Sequence, residues 1–128
     1  LLSLYYERRH NVIMAQVTGV LSSEDFAVHD SKALNFLVGK SGVRGLYDFS
    51  KVEALAVPTS RTIQRGQRPA IIDGMRVVVA SRGTPGFDFA TLIASQLRAA
   101  GHREPTIVAT LEEAYGLLNL DQPRFDRI

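Results

Sequence analysis

Met75-Arg76-Val77-Val78-Val79-Ala80-Ser81-Arg82-Gly83-Thr84-Pro85-Gly86 is the stretch on which the fold turns. Val77-Val78-Val79 is a β-branched run without polar alternation, the pattern of a strand covered on both faces, and such strands belong to parallel sheets. Ser81 to Gly86 reads as a loop, with Thr84 as an N-cap and Pro85 at the first helical position. Beyond it Phe89, Ala90, Ile93, Leu97 and Ala100 fall on one helical stripe, which Gly101 ends. A covered strand, a short loop and an amphipathic helix are the first two thirds of a βαβ unit.

The flanking sequence repeats the alternation. Downstream, Thr106 to Ala109 is a short strand, and Thr110 with Glu113 forms a capping box. The helix it opens is expected to bury Leu111, Ala114, Leu117 and Leu118, and the tail from about Asp121 is expected to fray. Upstream, Pro58-Thr59-Ser60 starts a short helix that carries Ile63 and is limited by Gly66 and Pro69. Ser50 to Val57 reads as a connection, and Gly45 to Phe49 as a strand. Ser22 stands three residues before Asp25, an acidic variant of the capping box. The helix that follows has Phe26, Ala27, Ala33, Leu34 and Leu37 on one side and ends at Gly39 and Gly42. Leu2–Tyr6 and Val12–Leu21 form a hairpin around the charged turn Glu7–Asn11. The order β-β-α-β-α-β-α-β-α defines an α/β domain spanning residues 1–128. Its sheet is single, mixed and mostly parallel, with five strands, an N-terminal antiparallel hairpin and about four covering helices.

Composition narrows the function. With 128 residues, 45% apolar and 22% charged, the chain suits one soluble domain with a real core. It contains no cysteine, which excludes disulfides, thiolate zinc sites and a cysteine nucleophile. No apolar run approaches the roughly 20 residues of a membrane-spanning helix, and no secretory signal is visible, so a cytoplasmic location is expected. The sequence starts at Leu1 rather than Met, and a few residues are expected to precede it.

Fifteen Lys+Arg against thirteen Asp+Glu leave a formal charge of +2. That surplus is no nucleic-acid footprint, and no nucleic-acid partner is expected. Its distribution is uneven. Between Pro58 and Gly86 lie Arg61, Arg65, Arg68, Arg76 and Arg82, with Asp73 the only acid. A solvated face explains this run, and so does a patch for an acidic partner, an anionic lipid surface or a phosphate. In parallel sheets, ligands and partners are met beyond the carboxyl ends of the strands. Asp48, Ser50, Ser81, Arg82 and Thr84 mark that edge, with Arg61, Arg65 and Arg68 on the helix expected beside it. A carboxylate such as Asp48 at the end of an apolar strand needs a partner, and a local turn contact with Ser50 or Lys51 would supply one.

Catalytic and metal equipment is sparse. His10 falls in the hairpin turn, His29 on the first helix and His102 in a loop. None has metal-ligand spacing, and none adjoins a nucleophile. His29 and Asp30 are neighbours on a helix, where side chains point in different directions. Gly83-Thr84-Pro85-Gly86 sits where a phosphate cradle belongs but lacks the lysine of a P-loop and the spacing of a dinucleotide site. No catalytic residues, metal or cofactor are assigned.

The chain resembles the STAS superfamily, named for sulfate-transporter C-terminal domains and anti-sigma-factor antagonists, and within it the small bacterial sporulation-regulator-like proteins. The resemblance is carried by Gly45-Leu46-Tyr47-Asp48-Phe49-Ser50-Lys51-Val52, by the Met75–Ala80 strand, by Gly86-Phe87 and by Thr110-Leu111-Glu112-Glu113-Ala114. It implies a non-enzymatic regulatory module that binds a protein partner, of the kinase, anti-sigma or transporter-associated kind. In the antagonists a serine near the helix after the Asp-bearing strand is phosphorylated. Thr59 and Ser60 are the hydroxyls at that position, but the Asp-Ser pair and following glycine of the family are missing from Ala56-Val57-Pro58-Thr59-Ser60-Arg61. The related CRAL-TRIO lipid-carrier architecture implies an alternative: a lipid or small anion held under the third helix, near Phe87, Phe89 and Ile93. A homodimer through the Leu1–Tyr6 edge strand is a further expectation.

Overall fold

The structure, a computed structural model, describes residues 1–128. The strands are β1 (Leu2–Glu7), β2 (Val12–Ser22), β3 (Arg44–Ala56), β4 (Arg76–Val79), β5 (Thr106–Val108) and β6 (Asp126–Arg127). The helices are α1 (Ser23–Leu37), α2 (Thr59–Gly66), α3 (Pro85–Ala99) and α4 (Leu111–Leu117). One six-stranded sheet has the order β5-β4-β3-β2-β1-β6. The β1–β2 and β1–β6 pairs are antiparallel, and the β2–β3, β3–β4 and β4–β5 pairs are parallel. The α/β class, the mixed sheet, the hairpin and the four helices are those the sequence patterning specifies. No helix is long and apolar enough to cross a membrane.

Two segments differ from the sequence reading. The segment Ser50–Ala56, expected as a connection, continues β3, because β2 runs on beside it to pair Ser22 with Ala56 through two register shifts. Gly19, with φ of 73°, lies at the second shift. The tail expected to fray instead crosses the sheet: Leu120 and Phe125 pack into the core, and β6 pairs with Tyr5 and Tyr6 of β1. It thereby adds a sixth strand and occupies part of the edge expected to meet a second copy, where Ile128 N–H also donates to the Leu4 carbonyl.

Alternation along the strands sorts the core into two layers. Leu46, Val77 and Val79 face α4 and close with Val12, Ala114, Leu118 and Leu120. Val17, Phe49 and Val78 face the opposite way, toward Phe26 of α1 and Phe89 and Ala90 of α3. Leu4, Ile13, Ala15, Val43 and Ile72 extend that second layer beneath Phe36 and Leu37 of α1. Helix α2 sits close against α3 because Gly66 has no side chain; a Cβ there would lie 2.4 Å from Gln96 Cβ.

The helix ends follow their sequence signals. Ser22 and Asp25 form a reciprocal capping box at α1, and Thr84 and Thr110 accept from the N–H groups of Phe87 and Glu113. The buried stripe of α1 is displaced from the expected one. Leu34 is 57% exposed, while Phe26, His29, Ala33 and Phe36 turn inward. His29 therefore takes a core position.

Candidate functional site

The sheet face under α1, α2 and α3 holds a cavity of about 200 Å³. An apolar cavity of roughly 150 Å³ is enough to hold benzene, so the space is of ligand size. Its walls are mostly apolar, with Val17, Leu21, Phe49, Val78, Phe89 and Ile93 among them. Phe26 stacks on Phe89 at 5.2 Å between centroids, and Phe49 meets Phe89 edge-on at 5.8 Å. These aromatic pairs hold the wall between α1, α3 and β3 in one arrangement. Exposed Arg68 and Pro69 mark the side on which the cavity meets solvent.

Two polar stations interrupt the apolar lining. The first joins three elements. Arg65 of α2 donates to both carboxylate oxygens of Asp30 on α1, at 2.7 and 2.8 Å. Its guanidinium also lies over the Phe26 ring, 4.5 Å from the centroid. Asp30 Oδ1 is 2.9 Å from His29 Nδ1, and His29 Nε2 is 3.2 Å from the Tyr47 hydroxyl on β3. With Asp30 accepting from Nδ1–H, the neutral ring presents Nε2 as an acceptor for the Tyr47 O–H. Burial alone would raise the Asp30 carboxyl, but hydrogen bonds and charge from Arg65 and His29 hold it well below the ordinary carboxylate range. Burial pushes Tyr47 up to about 12, so its phenol stays protonated at neutral pH and serves as a hydrogen-bonding group rather than a base.

The second station is Arg76 at the start of β4, only 7% exposed. Nη2 donates to the Arg103 carbonyl, while Nε is buried without a partner. Burial lowers its pKa, the nearby Arg103 charge adds to that, and the Asp73 carboxylate opposes it in part. Gly45 makes the room beneath it: a Cβ at that position would lie 3.1 Å from both Arg76 Cγ and Tyr47 Cε2. Arg65 is neutralised by a carboxylate, whereas Arg76 forms no ion pair.

The strand-end residues anticipated from sequence do not gather into one site. Asp48 lies inside β3, on the α4 face, and is 1% exposed. Its Oδ1 accepts from the Ser50 N–H and hydroxyl at 3.0 and 2.6 Å, and Oδ2 accepts from Gln16 Nε2 at 3.3 Å. The local contact with Ser50 thus satisfies it, and its charge adds to burial in raising Tyr115 of α4. Arg65 and Arg68 line the cavity on the opposite face. Arg61, Ser81 and Arg82 are exposed, and Thr84 caps α3. Thr59 and Ser60 are exposed in the first turn of α2, where no side chain caps the helix. Of the three aromatic or aliphatic residues expected under α3, Phe89 and Ile93 line the cavity, whereas Phe87 packs against the neighbouring core.

His29, Asp30, Tyr47 and Arg76 were not singled out as a site by sequence. The contact between His29 and Asp30 corrects the expectation that helix neighbours diverge. Their side chains leave the axis about 100° apart, yet both flank the cavity, and Arg65 pins Asp30 on the side of the imidazole. The available signal was the i, i+3, i+4 spacing of Phe26, His29, Ala33 and Phe36, which sets a histidine in an inward-facing row. No three metal-ligating side chains cluster anywhere in the fold. No protein-family model matches the sequence, and no curated protein matches it.

Proposed function

We propose that this chain is a non-enzymatic, STAS-like module that binds a small, largely apolar molecule between its sheet and helices α1, α2 and α3. One observation carries the reading: a cavity of about 200 Å³, walled by aromatic and aliphatic side chains, in a domain whose other sheet face is closed. Pockets with apolar walls and a few convergent polar groups are the usual form of a ligand site. The position under α3 is the one the CRAL-TRIO-like alternative anticipates. A regulatory role of the kind the STAS resemblance implies would then operate through ligand occupancy. Helix α2 is the natural reporter, since Arg65 ties it to α1 beside the cavity while Thr59, Ser60 and Arg61 remain exposed on it.

The test uses a neutral amphiphile, 1-octanol, in a thermal-shift titration. Saturation at about 100 times the dissociation constant should stabilise the protein by about 2.7 kcal/mol and raise Tm by several degrees. Ala90→Leu, which adds side-chain volume at a buried wall position, should reduce the shift while preserving the circular dichroism spectrum. No shift in the wild type, or an equal shift in a folded Ala90→Leu protein, would overturn the proposal.

A further inference from the structure

We infer that the cavity selects an apolar-chain carboxylate, with the head group seated on Arg76 and the chain lying along Phe49, Phe89 and Ile93. The inference rests on the ligand-binding reading above and specifies the chemistry of its ligand. A buried guanidinium is costly to desolvate and is normally paired with an anion. Arg76 is more than nine-tenths buried, lines the cavity and forms no ion pair. Its one hydrogen bond goes to a neutral acceptor, the Arg103 carbonyl, and its Nε–H has no acceptor.

The other cavity cations do not share this deficit. Arg65 is bidentate to Asp30, and Arg68 is exposed to water. The lining acids are likewise occupied. Asp30 is held by Arg65 and His29, and Asp25 accepts from the backbone and hydroxyl of Ser22. The unmet electrostatic demand of the cavity is therefore a single positive charge at Arg76. A planar carboxylate matches a guanidinium edge, accepting from Nε–H and a terminal N–H together. Gly45 leaves room for the Arg76 stem at Cγ and for the Tyr47 ring, where a Cβ would crowd both. The apolar walls leave the remainder of the ligand as hydrocarbon.

Isothermal titration with octanoate and 1-octanol, which share a chain length and differ in charge, separates the two levels of the proposal. Wild-type protein should bind octanoate at least tenfold more tightly than octanol. Arg76→Met should abolish that preference while retaining octanol binding, and Arg76→Lys should keep part of it. Equal affinity of the wild type for both probes, or an undiminished preference in Arg76→Met, would overturn the carboxylate assignment and leave the cavity reading standing. Binding of neither probe would overturn both. If Arg76→Met fails to fold, the wild-type comparison and Arg76→Lys decide the outcome.

Discussion

On its central strands this sheet buries Asp48 on one face and Arg76 on the other, and treats the two charges differently. On the α4 face Asp48 sits within a closed apolar layer, and three donors from Gln16 and Ser50 reach its carboxylate. On the opposite face Arg76 borders a cavity and keeps an unpartnered Nε. Adjacent strands supply both residues, only a few register positions apart. A satisfied buried charge holds a fold in place, whereas a half-satisfied one costs stability and persists where something else completes it. Under the proposed function, the α4 face is structural and the face under α1, α2 and α3 is the one that binds.

The largest expected effect tests packing. Leu46→Ala on the closed face should cost about 2–5 kcal/mol in urea denaturation, because the fully buried site cannot relax. Ile93→Ala should cost less than half as much, since its side chain already borders empty space. Equal losses would break the distinction between a closed and an open face.

The buried charges give the next comparison. Asp48→Ala should lose about 1–3 kcal/mol, because it strands the Gln16 and Ser50 donors. Arg76→Met in ligand-free protein should lie within about 1 kcal/mol of wild type or be stabilising, as it removes a poorly compensated buried charge. A loss at Arg76 as large as that at Asp48 would show that the arginine is structural.

The smallest effect concerns the α1–α2 link. Asp30→Asn should cost about 1 kcal/mol at neutral pH, given the partial exposure of Asp30 and Arg65. The Asp30 carboxyl is depressed in the folded state, so its contribution is full above the unfolded value of about 3.9 and is lost as pH falls through the lower folded value. The difference between wild type and Asp30→Asn in pH-dependent denaturation should therefore be flat near neutrality and shrink only in acid. A difference that fades between pH 6 and pH 7 would place the linkage on another group.

Much of the fold was legible because its signals are local. The Val77–Val79 run, the Ser22, Thr84 and Thr110 caps and the hairpin around Glu7–Asn11 each specify their element within a few residues. The misread parts depend on distant partners. Ser50–Ala56 mixes Ser50, Lys51 and Glu53 with two alanines, has no clean alternation, and becomes strand because β2 extends beside it. The tail has no periodicity of its own, yet Phe125 meets Tyr115 and β6 meets β1. The site was less legible than the fold. Arg65 and Arg68 were marked as part of a basic run, but Arg76 stood in that run with nothing to distinguish it from an exposed arginine.

The sequence by itself determined the α/β class, the parallel core, the helix boundaries and the lack of thiol chemistry, since periodicity, capping and composition act over short spans. It also placed a carboxylate and a hydroxyl at Asp48 and Ser50 close enough to satisfy one another. Only the tertiary structure decided that Asp48 and the cavity arginines lie on opposite faces, because a strand sends successive side chains to opposite sides and the face is set by what packs above it. It also brought Tyr47, His29, Asp30 and Arg65 from three elements into one hydrogen-bonded chain. Arg76 was left as the buried guanidinium facing the cavity without an anion, a property that arises from the positions of all its neighbours at once.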